Sequence, residues 1–490
     1  MKRVLLSAAL LAVISFQSQL QVVAAELNSN QSEIVSPFKL TNSIQGEQAP
    51  QVNQNIKFQY SNAMPPAPSN ELNVSNQIKT GVSKDEIQLK LQEEQVPHKE
   101  NVLKAWVKQD RATGNWHGLR GKLEDHGLSF EGYYYMDNLL KTRGGYEERK
   151  NGKKAMLLPY LYYGATLDTE KAGLWKGGTF YTAAELYGKT GMSLDEIGDT
   201  ADVTSLDGYT QRHQLTQYWY QQKLFNNHYR IKIGRDSTLN EFDYQATRSS
   251  FVNFGMVDNP MLTQAYLLPA TPYAGFGILN EIKPTDNTSL KVGVYEGSPK
   301  PGTHSPAGFF NGRGHYVTAM EAAYTPTIKD HSGKYYLGSY IHSANWEKVY
   351  NGDLAHSNRG LYLGFEQKIT NEKHDAEQGL TINSRFGKCP SDRNLITAYY
   401  SLGATYKGLI PKRDKDLLGV SWYYANLSRD SKNLSSEGGT KMHDEKAIET
   451  FYNFAVTPWF SIQPDFQYVV KPGGTGCNAT IFGLRTVFTF

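Results

Sequence analysis

From about residue 127 to residue 490 the chain repeats one device: short segments whose apolar and polar residues alternate, separated by turn-rich gaps. The final segment shows it plainly. Phe482, Leu484, Phe488 and Phe490 fall on one parity, and Arg485, Val487 and Thr489 on the other. Strand geometry puts successive side chains on opposite faces, so this pattern reads as strand with one greasy and one polar side. Such segments lie near 127–137, 156–168, 177–187, 209–222, 228–235, 272–282, 289–296, 315–325, 334–345, 358–369, 379–387, 395–408, 416–427, 446–456, 459–470 and 480–490. They predict an all-β fold, a 16-stranded antiparallel transmembrane β-barrel, since single-chain bacterial barrels have an even strand number. Closure is required because hydrocarbon offers no water to an open sheet edge.

The gaps carry their own signal. With Phe490 at one end of the barrel, every second connection falls on that end. Val456-Thr457-Pro458, Asn371–Gln378 and Gly408–Lys415 lie there, and all are short. The other end receives Ser428–Lys446, Ser298–Gly314, Gly188–Ser205 and the longest, Asp236–Thr271. Short periplasmic turns opposite longer outer loops are the barrel arrangement.

The N-terminus reads as an export leader spanning 1–25. Lys2 and Arg3 precede an apolar run from Val4 to Phe16, and Val23-Ala24-Ala25 suits cleavage before Glu26. The apolar core is too short for a membrane anchor. Beyond it no apolar run reaches membrane-spanning length, so helical spans are excluded. A mean hydropathy of −0.53 looks water-soluble, yet a barrel around a polar lumen gives the same value. The 32 Tyr and 44 Gly suit interfacial girdles and tight turns. Net charge is +3, falling to +1 without Lys2 and Arg3, which gives no reason to expect nucleic acid.

Residues 26–110 form a second region, rich in Asn, Gln, Ser and Pro, with an extended tract from Ala63 to Pro68. They read as a largely disordered periplasmic extension. Within it Ser83 precedes Glu86 at capping-box spacing, and Ile87, Leu89, Leu91 and Val96 follow, which predicts a short helix, either solvated or weakly oligomerising. Residues 111–490 form the barrel region, entered by a helix at about 115–126. Cys389 and Cys477 both map to the long-loop end, where a disulfide is topologically allowed and two free thiols are equally open. Gly188-Lys189-Thr190 imitates a phosphate loop, but position 183 is Ala rather than Gly. No His spacing suggests a metal site and no motif suggests a cofactor.

A set of ordered motifs carries a family resemblance. Trp116-His117-Gly118-Leu119-Arg120, Arg230 to Arg235, Phe251-Val252-Asn253 with Asn259-Pro260, and Gly293-Val294-Tyr295 come first. Gly360 to Leu363, Pro390 to Asn394, Tyr406 to Pro411, Glu449 to Tyr452, Val456 to Phe460, Gln463 to Tyr468 and Pro472 to Gly474 follow. Together, over about Gly114–Phe490, they resemble the carbohydrate-selective porins of the OprB family. His117 stands where the family more usually has glycine. The resemblance implies a bacterial outer-membrane channel for passive, saccharide-selective diffusion, with small saccharides as solutes, outer-membrane lipid around it and no enzymatic step. It leaves open a monomer or a homo-oligomer.

A sugar is neutral and dense in hydroxyls, so an eyelet for it needs bidentate hydrogen-bonding side chains and aromatic rings. Strand parity turns Glu131, Glu185, Arg230, Lys232, Asn383, Arg385, Gln463, Asp465, Gln467 and Arg485 toward the lumen. By analogy with porins, the long loop carrying Glu241, Asp243, Arg248 and Phe251 folds inward, with Arg235 at its start as a brace or pore contact. The competing reading for each is a wall residue in a salt-bridge ladder beneath the loops. Trp116 and Arg120 are rim candidates that either plug or seal the periplasmic end. A general or anion-leaning porin, a barrel enzyme and a structural tether are the alternative functions.

Overall fold

Sixteen long strands follow one another in a single up-and-down circuit in the computed structural model, which describes residues 104–188, 191–206, 212–264, 267–297, 315–372 and 375–490. The leader, most of the polar extension and the helix expected after Ser83 lie outside the described residues. The described residues fall into two units, 104–108, with one helical turn, and 109–490.

In the larger unit the strands are β1 Leu128–Gly145, β2 Lys154–Asp168, β3 Gly178–Tyr187, β4 Arg212–Leu224, β5 Tyr229–Asp236, β6 Gly275–Thr285, β7 Thr288–Glu296 and β8 Tyr316–Tyr324. They continue as β9 His331–Glu347, β10 Leu354–Lys368, β11 Gly379–Lys388, β12 Ile396–Lys407, β13 Leu417–Leu427, β14 Glu445–Thr457, β15 Phe460–Val470 and β16 Cys477–Thr489. A two-residue strip, Thr327–Ile328, pairs inside the β8–β9 turn. Each strand is antiparallel to its neighbours, and β1 pairs with both β2 and β16, so the sheet closes on itself. All sixteen coincide with the segments expected from alternation. β1 alone runs far beyond expectation, because its ladder to β16 continues through register shifts after Lys141 and Arg143. Gly144 and Gly145 make that bend possible. Both have positive φ, and a Cβ on Gly144 would sit 2.0 Å from the Asn478 carbonyl oxygen.

Alternation assigns the two faces. Leu157, Leu337, Leu402 and Phe482 point outward and are exposed, while Asp137, Glu185, Arg385 and Gln467 point inward and are buried. Inward rings on the β9–β10 wall lie flat on inward glycines: Tyr362 over Gly338, Tyr340 over Gly360 and Tyr336 over Gly364. A methyl on any of the three would meet ring atoms at 2.6 Å or less, closer than packed carbons tolerate.

At the short-turn end a 3-10 turn, Trp116–Gly118, leads into α1, Leu119–Asp125. Arg120 donates to the Gly114 carbonyl at 3.2 Å and its guanidinium lies 4.4 Å from the Trp116 ring centroid. Trp116 packs against outward-facing Phe130 at 5.7 Å, and the Ala112 amide donates to the Thr489 carbonyl at 2.8 Å. Trp116 thus packs on the outer face of β1, and Arg120 braces the turn that leads into α1.

The disulfide allowed by topology is not made: both cysteines are free. The Cys389 thiol is buried and donates to the Ile396 carbonyl, whereas Cys477 contacts Glu147 on the first outer turn. A membrane-impermeant maleimide is expected to label Cys477 and spare Cys389 without prior reduction. Equal labelling of both, or none until reductant is added, would contradict that arrangement.

Candidate functional site

The segment between β5 and β6, 237–274, is too apolar on one side to stay in water. Phe242, Phe251, Met256, Met261, Leu262, Leu267 and Leu268 are all at most 1% exposed. Two single-turn helices shape it, α2 Phe254–Val257 and α3 Pro260–Thr263. Each starts at an asparagine cap: Asn253 accepts from the Gly255 amide and Asn259 from the Met261 amide. The loop turns into the barrel and lays its apolar side against the inner wall.

Its anchors are the charged residues of the strands. Arg230 donates to Glu241 at 2.6 and 2.8 Å and to Glu281 at 2.6 Å. Lys232 pairs with Asp236 and Glu241, and the Lys291 ammonium donates to the Glu241 carbonyl at 2.7 Å. Burial disfavours the Glu241 charge, yet Arg230, Lys232 and Lys291 hold this carboxyl below the usual range. Further along, Arg385 donates to the carbonyls of Met256 at 2.7 Å and Val257 at 3.3 Å and lies 3.3 Å from Asp243. Burial pushes the Asp243 carboxyl up to about 7, against the pull of Arg385 and the Tyr336 hydroxyl. Asn383 donates to Thr247 at 2.6 Å.

The far side is held in the same way. Glu449 accepts from the Val252 amide at 2.6 Å, Gln463 donates to the Ser250 carbonyl at 3.0 Å, and Asn253 donates to Gln467 at 2.9 Å. Gln467 also donates to Asp465 at 2.9 Å. Arg485 grips Asp137 through two bonds of 2.7 and 2.8 Å and donates to the Phe251 carbonyl at 2.9 Å. The loop between β3 and β4 adds a second layer: Thr204 donates to Asp137 at 2.6 Å, and the Ser205 amide donates to the Val252 carbonyl at 3.0 Å. Glu185 accepts from Tyr187 at 2.7 Å.

Arg230, Lys232, Glu241, Asn383, Arg385, Asp465, Gln467 and Arg485 are thus brought to the lumen, where all but Asp465, which bonds Gln467 on its own strand, hold loop and wall together. Their charged and amide groups meet protein partners, as the salt-bridge-ladder reading expects. Arg235 is a correction. It pairs across the sheet with Tyr218 and Phe276, on the parity of lipid-facing Ile231 and Ile233, so it points away from the lumen that Arg230 and Lys232 face. A one-residue difference in position reverses the face. Glu241→Ala would leave Arg230, Lys232 and Lys291 without their shared carboxylate. It is expected to raise single-channel conductance as the loop swings from the wall, while the barrel stays folded. Conductance equal to the parent would mean the triad is not the anchor.

Sequence reasoning missed the wall that the loop leaves open. Tyr133, Tyr135, Tyr160, Tyr162, Tyr181 and Trp219 face inward on β1–β4 and are only half-buried. Higher on β1 and β2, Leu139 and Leu158 are 2% exposed or less. The uncovered lumen therefore runs along these rings. The loop's own edge opposite carries Arg248, which pairs with Asp258 at 2.8 Å and lies 4.9 Å from the Tyr244 ring centroid.

A closed sixteen-stranded barrel with lipid-facing apolar residues, a polar interior and a wall-pinned inner loop defines a diffusion channel of the bacterial outer membrane. Residues 154–490 match the model of the carbohydrate-selective porin, OprB family, and the chain belongs to that family. Porin B of Pseudomonas aeruginosa is 26% identical over 420 residues, covering 76% of this chain and 90% of that protein. OprB of Pseudomonas putida in its high-pH structure superposes with a TM-score of 0.72 at 25% identity, covering 78% of this chain and 99% of that one. Its low-pH structure shares the fold at a TM-score of 0.51 and 20% identity. The chain is accordingly a porin for saccharide-selective diffusion and not an enzyme.

Proposed function

We propose that this porin passes small saccharides of about monosaccharide size down their gradient, through a passage bounded by the inner loop on one side and the β1–β4 wall on the other. The observation that carries this is the pairing of the lumenal cations. Arg230, Lys232, Lys291, Arg385 and Arg485 each meet a carboxylate or carbonyl within the protein. The open lumen then offers tyrosine hydroxyls and ring surface, which suit a neutral polyhydroxylated solute better than an anion. The long loops face outward and the short turns, with α1 and the polar extension, face the periplasm, the chain being delivered there by the leader at 1–25.

Liposome swelling with the reconstituted protein tests this reading. Monosaccharides are expected to enter faster than amino acids and small anions of matched size. Entry that follows size alone would return the channel to a general porin, and faster entry of anions would favour the anion-leaning alternative.

A further inference from the structure

The loop and its companion cover the lumenal wall unevenly. Their anchors lie on β5–β16, on the long-loop half of β4 through Gln214 and Gln217, on the long-loop half of β1 through Asp137, and at the Lys141–Glu196 pair. Among the described residues the short-turn half of β1–β4 carries no such anchor, and six aromatic side chains face the passage there. Their mutual geometry forms a continuous band. The Tyr133 and Tyr162 rings lie 6.1 Å apart at 36°, Tyr135 and Tyr160 6.0 Å apart at 56°. The Tyr162 hydroxyl bonds that of Tyr181, whose ring stacks on Trp219 at 4.8 Å and 23°. Lys232 closes the far end, its ammonium 4.1 Å from the Trp219 ring centroid.

Two features of the band are informative. Trp219 has Tyr181 on one face and Lys232 near the other, so it presents its edge and acts as the end wall. The Tyr133, Tyr160 and Tyr162 rings are tilted from their neighbours rather than stacked, so none covers another's face, while the Arg485 guanidinium lies 5.5 Å from the Tyr135 ring centroid. Glu131 lies beside them and accepts from the Tyr181 hydroxyl at 2.7 Å. Gly164 makes room for that contact, since a Cβ there would lie 3.0 Å from the Tyr181 oxygen. Tilted amphipathic rings with hydroxyls at their tips, next to a carboxylate, match the two surfaces of a pyranose: an apolar C–H face and a rim of hydroxyls.

We propose that this band is a saccharide-binding track on the periplasmic side of the constriction, with Tyr133, Tyr160 and Tyr162 as its stacking residues. The inference deepens the saccharide-porin reading and rests on it. A track of several weak, overlapping contacts speeds transit because a solute can enter it readily and still leave. Anchored loops set the calibre; the track sets preference among neutral solutes that fit.

The test is sugar-dependent modulation of ion current through single channels in planar bilayers, with glucose as the probe, beside liposome swelling on the same preparations. A Tyr133→Leu/Tyr162→Leu variant is expected to raise the half-saturating glucose concentration about tenfold, with ion conductance changed less than twofold. The matching Tyr133→Phe/Tyr162→Phe variant, which keeps the rings, is expected to recover most of the binding and also serves as the folding control. Half-saturation in the leucine variant equal to the parent would overturn the track while leaving the saccharide porin intact. A phenylalanine variant as weak as the leucine one would overturn ring stacking in favour of the hydroxyls. A parent channel with no glucose response and no sugar preference in swelling would remove the saccharide reading and the track together.

Discussion

Arg385→Ala is expected to detach the inner loop, raising ion conductance several-fold and abolishing preference between sugars and size-matched solutes. Arg385 is 1% exposed and holds the backbone at both Met256 and Val257, where α2 ends. Its loss removes the cation beside Asp243, leaving a buried carboxyl with the Tyr336 hydroxyl and no counter-charge. Removing one member of such a buried pair costs roughly 3–5 kcal/mol. That strain falls on the loop, because the strands around it keep their ladders. Single-channel recording and swelling report it directly. If selectivity and conductance both stay at parental values, the constriction does not depend on this anchor.

Asp137→Ala should give the largest loss of stability. Asp137 on β1 receives both bonds from Arg485 on β16 and a third from Thr204, so one carboxylate ties the first strand, the last strand and a loop. The substitution leaves the Arg485 guanidinium buried without its carboxylate, again a cost of roughly 3–5 kcal/mol. It is expected to lower the temperature at which the barrel loses its compact, fast-migrating form on gels. The double variant Asp137→Leu/Arg485→Met should recover much of the loss, since apolar replacement of a whole buried pair is often near neutral. A double variant no more stable than the single one would show that packing, not the unpaired charge, sets the loss.

The strands were legible because every one of them separates a lipid face from a lumenal face, and a period of two is hard to mistake over ten residues. Legibility failed where both faces look alike. Tyr133-Tyr134-Tyr135 offers three identical side chains in a row, and hydropathy cannot say that the outer two face the lumen while Tyr134 packs beside lipid-facing Phe488. The place of Arg235 at the start of the long loop suggests a brace or pore contact, whereas its parity is that of Ile231 and Ile233. The roles of the lumenal charges depend on contacts far apart in sequence, such as Glu449 with Val252 or Arg485 with Phe251. A one-dimensional pattern shows that such a residue faces inward and is silent on what meets it there.

The grip of Arg485 on the Phe251 carbonyl has a consequence for biogenesis. The loop belongs to the middle of the chain, but this latch sits in the final strand and its carboxylate partner in the first. Until those two strands zip together, the latch is incomplete and the middle segment has nothing firm to lock against. Closing the cylinder and setting its bore are therefore one event, and a chain stalled before its last strand docks would be leaky as well as unfinished.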